Sequence, residues 1–261
     1  MQDVLLGKQQ LPDCVDNAVK NLTDKPTQSI GQTISDLWQL ALGGPIAFAV
    51  EKKKLKYAHD LEVYRKSLEA KVMAIPEVKL IEPPLYIAAQ ALTDSQYCVE
   101  QPKLREMFTN LIANSMNADY SNILHPSFSK IIQQLSPLDA KMLELIYKWH
   151  ATGGMAVVSY IRQASDDGYV TLYKNIPAES PQGCEPEFAA RALVSLQRQG
   201  LIEIPDDLYF TDESRYDIFK KSKLYRNLCA DAKSCGYVLG TEPHIATLTA
   251  LGEDFVTVCL G

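Results

Sequence analysis

His125 is the residue whose type most readily suggests chemistry, because imidazole is the side chain that changes charge nearest neutral pH. It opens the run HPSFSKIIQQLSPLDA, His125 to Ala140. Nucleophilic catalysis would need an activated partner, and no cysteine or serine with an identifiable activating base accompanies it. A histidine just before the helix-starting Pro126 fits a turn or a cap, and that structural role is the expected one. Metal chemistry is weaker still. Cys229 and Cys235 stand six positions apart, with His244 and Cys259 beyond, whereas zinc ligands normally come in tighter pairs such as C-x-x-C. Buried free thiols account for them. The carboxylate pairs Asp166-Asp167 and Asp206-Asp207 read as turn residues. No P-loop, G-x-G-x-x-G, H-E-x-x-H or nucleophile elbow occurs, so no catalytic residue, metal or cofactor is expected and the chain reads as a non-enzyme.

Recognition of phosphates or bases is the remaining chemistry. The segment EFAARALVSLQRQ, Glu187 to Gln199, offers Arg191, Gln197 and Arg198, and Arg215, Lys220, Lys221, Lys223 and Arg226 follow downstream. The formal charge of −6 gives no global attraction to a phosphate backbone, and much of the segment is alanine and leucine rather than long donors. DNA binding through Arg191, Gln197 and Arg198 is therefore the alternative. Contact with an unidentified protein partner is preferred, with homo-oligomerisation left open.

The elements that must carry these residues follow from length and periodicity. At 261 residues the chain can bury one large or two medium cores, and 46% hydrophobic with 22% charged residues is ordinary for a globular protein. Six scattered cysteines and the absence of a secretory leader point to a reducing compartment. The stretch Ile34 to Val50 is apolar, but seventeen residues interrupted by Gly43-Gly44-Pro45 fall short of a membrane span. With the lysines that follow it, residues 34–56 could touch a membrane peripherally.

A charged helix is expected over Lys52 to Ile75 with Leu55, Ala58, Leu61, Leu68, Val72 and Ile75 as its stripe, and a small-residue helix after Pro84. Leu104, Met107, Phe108, Leu111, Ile112 and Ser115 predict an amphipathic helix. Pro126 should start a short helix with Phe128, Ile131, Ile132 and Leu135 inward. Ser136 should cap the next, with Pro137 at its first position and Asp139 answering the positive helix end.

After Gly153-Gly154 the pattern changes: Met155 to Ala164 is ambiguous, Tyr169 to Tyr173 reads as a strand, and Glu187 to Gln199 as a helix closed by Gly200. LIEI then begins a short strand, His244 to Leu248 returns, and Thr249 caps a terminal helix. A helix running into a wing strand is the order of a winged helix. The expected architecture is mainly α, α+β overall: a helical domain over 1–135, then a winged-helix-like α/β domain over 136–261 with a helical insertion at about 209–240.

Several of these segments are also similar, in order, to one family. The helix ending in AIPE at Ala74 to Glu77, IEPP at Ile81 to Pro84, LREMFTNLIANSM at Leu104 to Met116, and HPSFSKIIQQLSPLDA together resemble the abortive-infection alpha family of bacterial proteins, formerly a domain of unknown function. The resemblance spans about Lys52 to Leu145, with the winged-helix-like tail expected to lie largely outside it. It implies a role in phage defence, marks His125, Pro126, Phe128, Ser136, Pro137 and Asp139 as signature positions, and supplies no catalytic residues; the cysteine usage places the chain in the cytoplasm, with residues 34–56 leaving peripheral contact with the inner membrane open.

Overall fold

A computed structural model describes Trp38, residues 51–163 and residues 168–261. The apolar stretch Ile34 to Val50 (Trp38 apart), Cys14 and the Asp166-Asp167 pair lie outside the described residues.

Long unbranched charged side chains give helix α1, Glu51–Met73, a favourable local bias, but its register is set by aromatic burial. The buried stripe is Tyr57, Tyr64, Leu68 and Val72 with Leu61 half-buried, a run of three- and four-residue steps. Leu55 and Ala58, expected on that stripe, face solvent instead, Leu55 at 66% exposure. Two tyrosine rings bury more apolar area than a leucine and an alanine, and the Tyr57 hydroxyl keeps an acceptor by donating to the Gln96 carbonyl at 3.0 Å. The Trp38 ring stacks at a tilt on Tyr64, centroids 5.2 Å apart.

Pro76 stops α1 by removing an amide. Helix α2 (Leu85–Ser95) starts behind Pro83-Pro84, and α3 (Pro102–Asn114) turns Leu104, Met107, Phe108, Leu111 and Ile112 inward as their spacing predicts. Helix α4 (Phe128–Gln134) begins two residues beyond Pro126, and α5 (Pro137–His150) follows the Ser136 cap. No described helix is long and apolar enough to cross a membrane.

The second half forms one antiparallel sheet of order β2-β1-β4-β3, from β1 (Met155–Gln163), β2 (Tyr169–Pro177), β3 (Ile202–Glu203) and β4 (Leu239–Leu248). The protein is α+β overall. Strand β1 is central, and residues 155–161 are buried on both faces: Met155 and Val157 enter one apolar cluster, Ala156, Val158 and Tyr160 a second. A strand covered on both sides loses its polar alternation, which is why helix and strand could not be separated from its sequence. Helix α6 (Pro186–Arg198) ends at Gly200, whose φ of 71° suits glycine, and leads into β3. Strand β3 pairs with the returning β4 through Ile202↔Leu248 and Glu203↔Thr247. The β1–β2 hairpin, rather than a short turn, separates α5 from α6.

The insertion is a lid on the sheet rather than one helix. A 3-10 turn at Glu213–Tyr216, then α7 (Asp217–Lys220), then α8 (Lys223–Cys235) replace the one helix that the run SRYDIFKKSKLYRNLC, Ser214 to Cys229, leads one to expect. Ser222 breaks the run: its hydroxyl accepts from Tyr225 N at 3.0 Å and restarts the helix. Phe219 and Leu228 then cover Ala156, Val158 and Tyr160.

Helix α9 (Ala250–Cys259) returns to the first half. Phe255 meets Phe128 edge to face at 5.2 Å. Asn110 Nδ2 donates to the Cys259 carbonyl and Asn114 Nδ2 to that of Val258, each at 2.8 Å. One apolar cluster consequently crosses the expected 135/136 boundary, running from Tyr57 and Phe128 to Ile146, Leu193 and Val258.

Candidate functional site

The signature segment is a joint, and its polar residues are its fastenings. The Nδ1 of His125 accepts from the Ser127 amide at 3.2 Å and lies 2.7 Å from its hydroxyl, closing the turn that launches α4. The exposed imidazole packs at a tilt against Phe128, centroids 5.9 Å apart, with Pro126 also exposed beside it. These contacts are those of a cap and turn. Ser136 and Asp139 form a reciprocal capping box: Asp139 N donates to Ser136 Oγ at 3.1 Å and Ser136 N to Asp139 Oδ2 at 2.8 Å, with Pro137 in the first turn where no amide is needed.

Asp139 does more than answer the helix dipole. The same Oδ2 accepts from Ser195 Oγ of α6 at 3.1 Å, and Asp139 is only 6% exposed. Gln134 Oε1 accepts from Gln199 Nε2 at 2.8 Å, a second tie to the end of α6. On its other side the segment reaches α2, where Lys130 Nζ lies 2.6 Å from Asp94 Oδ1, an oxygen that also accepts from Gln90 Nε2 at 2.9 Å. Asp94 is buried, and Cys98 nearby has its thiol pushed up by burial and by the Asp94 charge. Burial also pushes the Tyr64 phenol well above its ordinary range. Both groups are held neutral near pH 7, as packed groups rather than reagents. Asp94 and Ser195 were not singled out in the sequence.

The residues read as a DNA-contacting set are only partly brought together. Arg191 and Arg198 share one exposed stripe of α6 with Phe188 and Val194, which are 50% and 57% exposed. The Arg191 guanidinium sits 4.7 Å above the Phe188 ring. Gln197 is turned aside and half-buried. Of the downstream cations, Arg215 is already engaged, stacked 3.7 Å over Phe210 and donating to the Thr152 carbonyl at 3.0 Å, and Lys220 is paired with Asp217 at 3.0 Å. Beyond β3, a loop exposes Asp206, Asp207, Leu208 and Tyr209.

A surface pocket of about 260 Å³ lies between α5 and α9, lined by Tyr147, His150, Leu248, Glu253, Val256 and Thr257. His150 Nε2 is 3.6 Å from Glu253 Oε1. The Thr257 hydroxyl donates to the Glu253 carbonyl at 2.7 Å, a bond back along its own helix, so neither acidic nor basic group activates it. Among the described residues no three of His, Cys, Asp and Glu converge as a metal site; Cys229, Cys235 and Cys259 are free thiols, and burial holds Cys259 protonated.

Two joints fix the geometry of the second half. Thr249 Oγ1 donates to the Gly200 carbonyl at 2.6 Å and accepts from Gly252 N at 2.9 Å, so one hydroxyl caps α9 and fastens it to the end of α6. A Cβ on Gly252 would fall 1.9 Å from the Leu201 carbonyl oxygen. The run LTALGEDF, Leu248 to Phe255, is therefore a packing device: the threonine caps, and the glycine lets α9 approach the backbone.

No curated protein and no solved structure matches the chain. The family model described as abortive infection alpha matches residues 56–259. That span corrects the narrower expectation: the sheet, the insertion and α9 lie inside the family region together with the helical half. The joint from His125 to Asp139, the sheet and the returning helix all fall within the matched span, and the chain belongs to the abortive infection alpha family.

Proposed function

We propose that the protein is a bacterial abortive-infection factor that restricts phage growth by engaging a protein partner rather than by catalysis. The family match over residues 56–259 carries this reading. Two features support the choice of interaction over chemistry. The polar residues of the signature segment are committed to caps and inter-helix bonds, and α6 presents large apolar groups and arginines to solvent. In this reading the second half is winged-helix-like, with α6, β3 and β4 as the presenting unit, and the protein works in the cytoplasm.

Expression of the full chain in a susceptible bacterium, challenged with a panel of diverse phages, tests the proposal. A drop in plaque number, or host death before phage release, is the expected result. Unchanged plating across the panel at a verified level of folded protein overturns it.

A second reading, duplex DNA binding, draws on Arg191 and Arg198 sharing one exposed stripe. Salt-sensitive retention on duplex DNA, lost on changing both to alanine, would select it.

A further inference from the structure

The face of α6 opposite the core is unusual for an acidic chain. Ala189, Ala192, Leu193 and Leu196 are buried, and the other side carries Phe188, Arg191, Val194 and Arg198 at steps of three, three and four residues, a continuous helical stripe. Phe188 and Val194 stay half exposed or more. Neither arginine has an ion pair among the described residues, although Arg191 is steadied over the Phe188 ring.

A complementary surface occurs in the same chain. The loop after β3 exposes Asp206 and Asp207, also without ion pairs among the described residues, followed directly by Leu208 at 40% and Tyr209 at 57% exposure. One surface offers two cations and two apolar groups. The other offers two anions and two apolar groups. We infer that the α6 stripe is a self-association surface whose occupant is the Asp206–Tyr209 loop of a second copy of the chain, with the contact made twice about a two-fold axis.

Three arguments favour this occupant. The net charge of −6 opposes indiscriminate self-association, so contact requires a local patch of the other sign, which the arginines supply. Symmetry lets each copy present both surfaces, which doubles the buried area of a small patch. Nucleic acid fits less well, because Phe188 and Val194 occupy the stripe positions where base reading would need long polar donors. The patch is small, so the association is weak and reversible, with a Kd of roughly 10–100 µM. The inference does not rest on the phage-defence reading: a dimer measured with purified protein neither requires nor proves plaque restriction.

The test is sedimentation velocity on the full chain over a concentration series bracketing that Kd. Wild type should shift from monomer to dimer, and about 0.5 M salt should weaken the shift several-fold. Two charge-reversed variants are compared, Arg191→Glu with Arg198→Glu, and Asp206→Arg with Asp207→Arg. Each alone should be monomeric. Their equimolar mixture should restore the dimer, because every α6 then faces a loop of opposite charge. Far-UV circular dichroism and melting confirm folding, and Arg191→Ala with Arg198→Ala replaces any reversed variant that fails it, with the same loss of dimer expected. Monomeric wild type throughout, variants that dimerise as wild type does, or a well-folded mixture that stays monomeric overturns the inference. A monomer that captures a short duplex DNA through the arginines overturns it in favour of nucleic acid.

Discussion

Replacing Asp139 by alanine should be the most costly single change at the signature joint that leaves the apolar core intact. One carboxylate oxygen accepts from Ser136 N at 2.8 Å and from Ser195 Oγ at 3.1 Å, in a residue 6% exposed. A hydrogen bond to a charged acceptor contributes about 1.5–3 kcal/mol, and a carboxylate in the first turn of a helix adds about 0.3–1 kcal/mol. The Ser195 hydroxyl can turn toward water, so its loss costs less, about 1 kcal/mol. The total is about 3–5 kcal/mol, which for a chain of this size lowers Tm by roughly 6–20 °C. Asp139→Asn keeps an acceptor without the charge and should lose about 1 kcal/mol. Urea denaturation of Asp139→Ala, Ser195→Ala and the double variant measures the bridge directly. A coupling energy of at least about 0.5 kcal/mol is expected. Strict additivity, or a loss below about 0.5 kcal/mol for Asp139→Ala, would refute the claim that this carboxylate ties α5 to α6.

Other consequences can be checked more briefly. Gly252→Ala places a Cβ 1.9 Å from the Leu201 carbonyl oxygen, so α9 must move off the end of α6; a loss of about 3 kcal/mol or insoluble expression is expected, read by melting and soluble yield. Thiol mapping with a maleimide should label the exposed Cys235 in native protein and reach Cys259, fully buried and held protonated by burial, only after denaturant is added. On α1, the hydrogen bond from Arg65 lowers the Glu62 pKa in the folded state. A depressed carboxylate stabilises above its unfolded pKa and loses that contribution as pH falls through the folded value, so Glu62→Gln should flatten the acid limb of a Tm–pH profile below about pH 4.5, and an unchanged limb would count against the pair.

Much of the helical half is legible in the sequence, because α2, α3, α4 and α5 each carry an apolar stripe at helical spacing and begin at proline or serine. The errors have physical causes. On α1 the expected stripe holds from Leu61 onward and fails only at Leu55 and Ala58, because tyrosine counts as polar in a simple pattern, yet Tyr57 and Tyr64 are the anchors. Strand β1 is ambiguous in sequence because both of its faces are covered, and the insertion reads as one helix because the hydroxyl of Ser222 that interrupts it looks like any surface serine. Ser136, Pro137 and Asp139 read as a helix start and form one, but long-range partners such as Ser195 and Asp94 leave no periodic trace. The asparagines that fasten α3 to α9 do leave one: Asn110 and Asn114 form an i, i+4 pair flanking an apolar face.

That fastening gives the molecule an order of assembly. Two buried or half-buried amides of α3 have their carbonyl partners nearly one hundred and fifty residues later in the chain, at sequence separations of 149 and 144. Phe128 likewise waits for Phe255. On a translating ribosome the first-half helices can form locally but cannot close their interior until residues 250–259 have been made and freed from the exit tunnel. An early-released chain lacking α9 would therefore carry an open apolar face in its older half, far in sequence from the missing piece, and would be a substrate for proteolysis rather than a partial version of the protein.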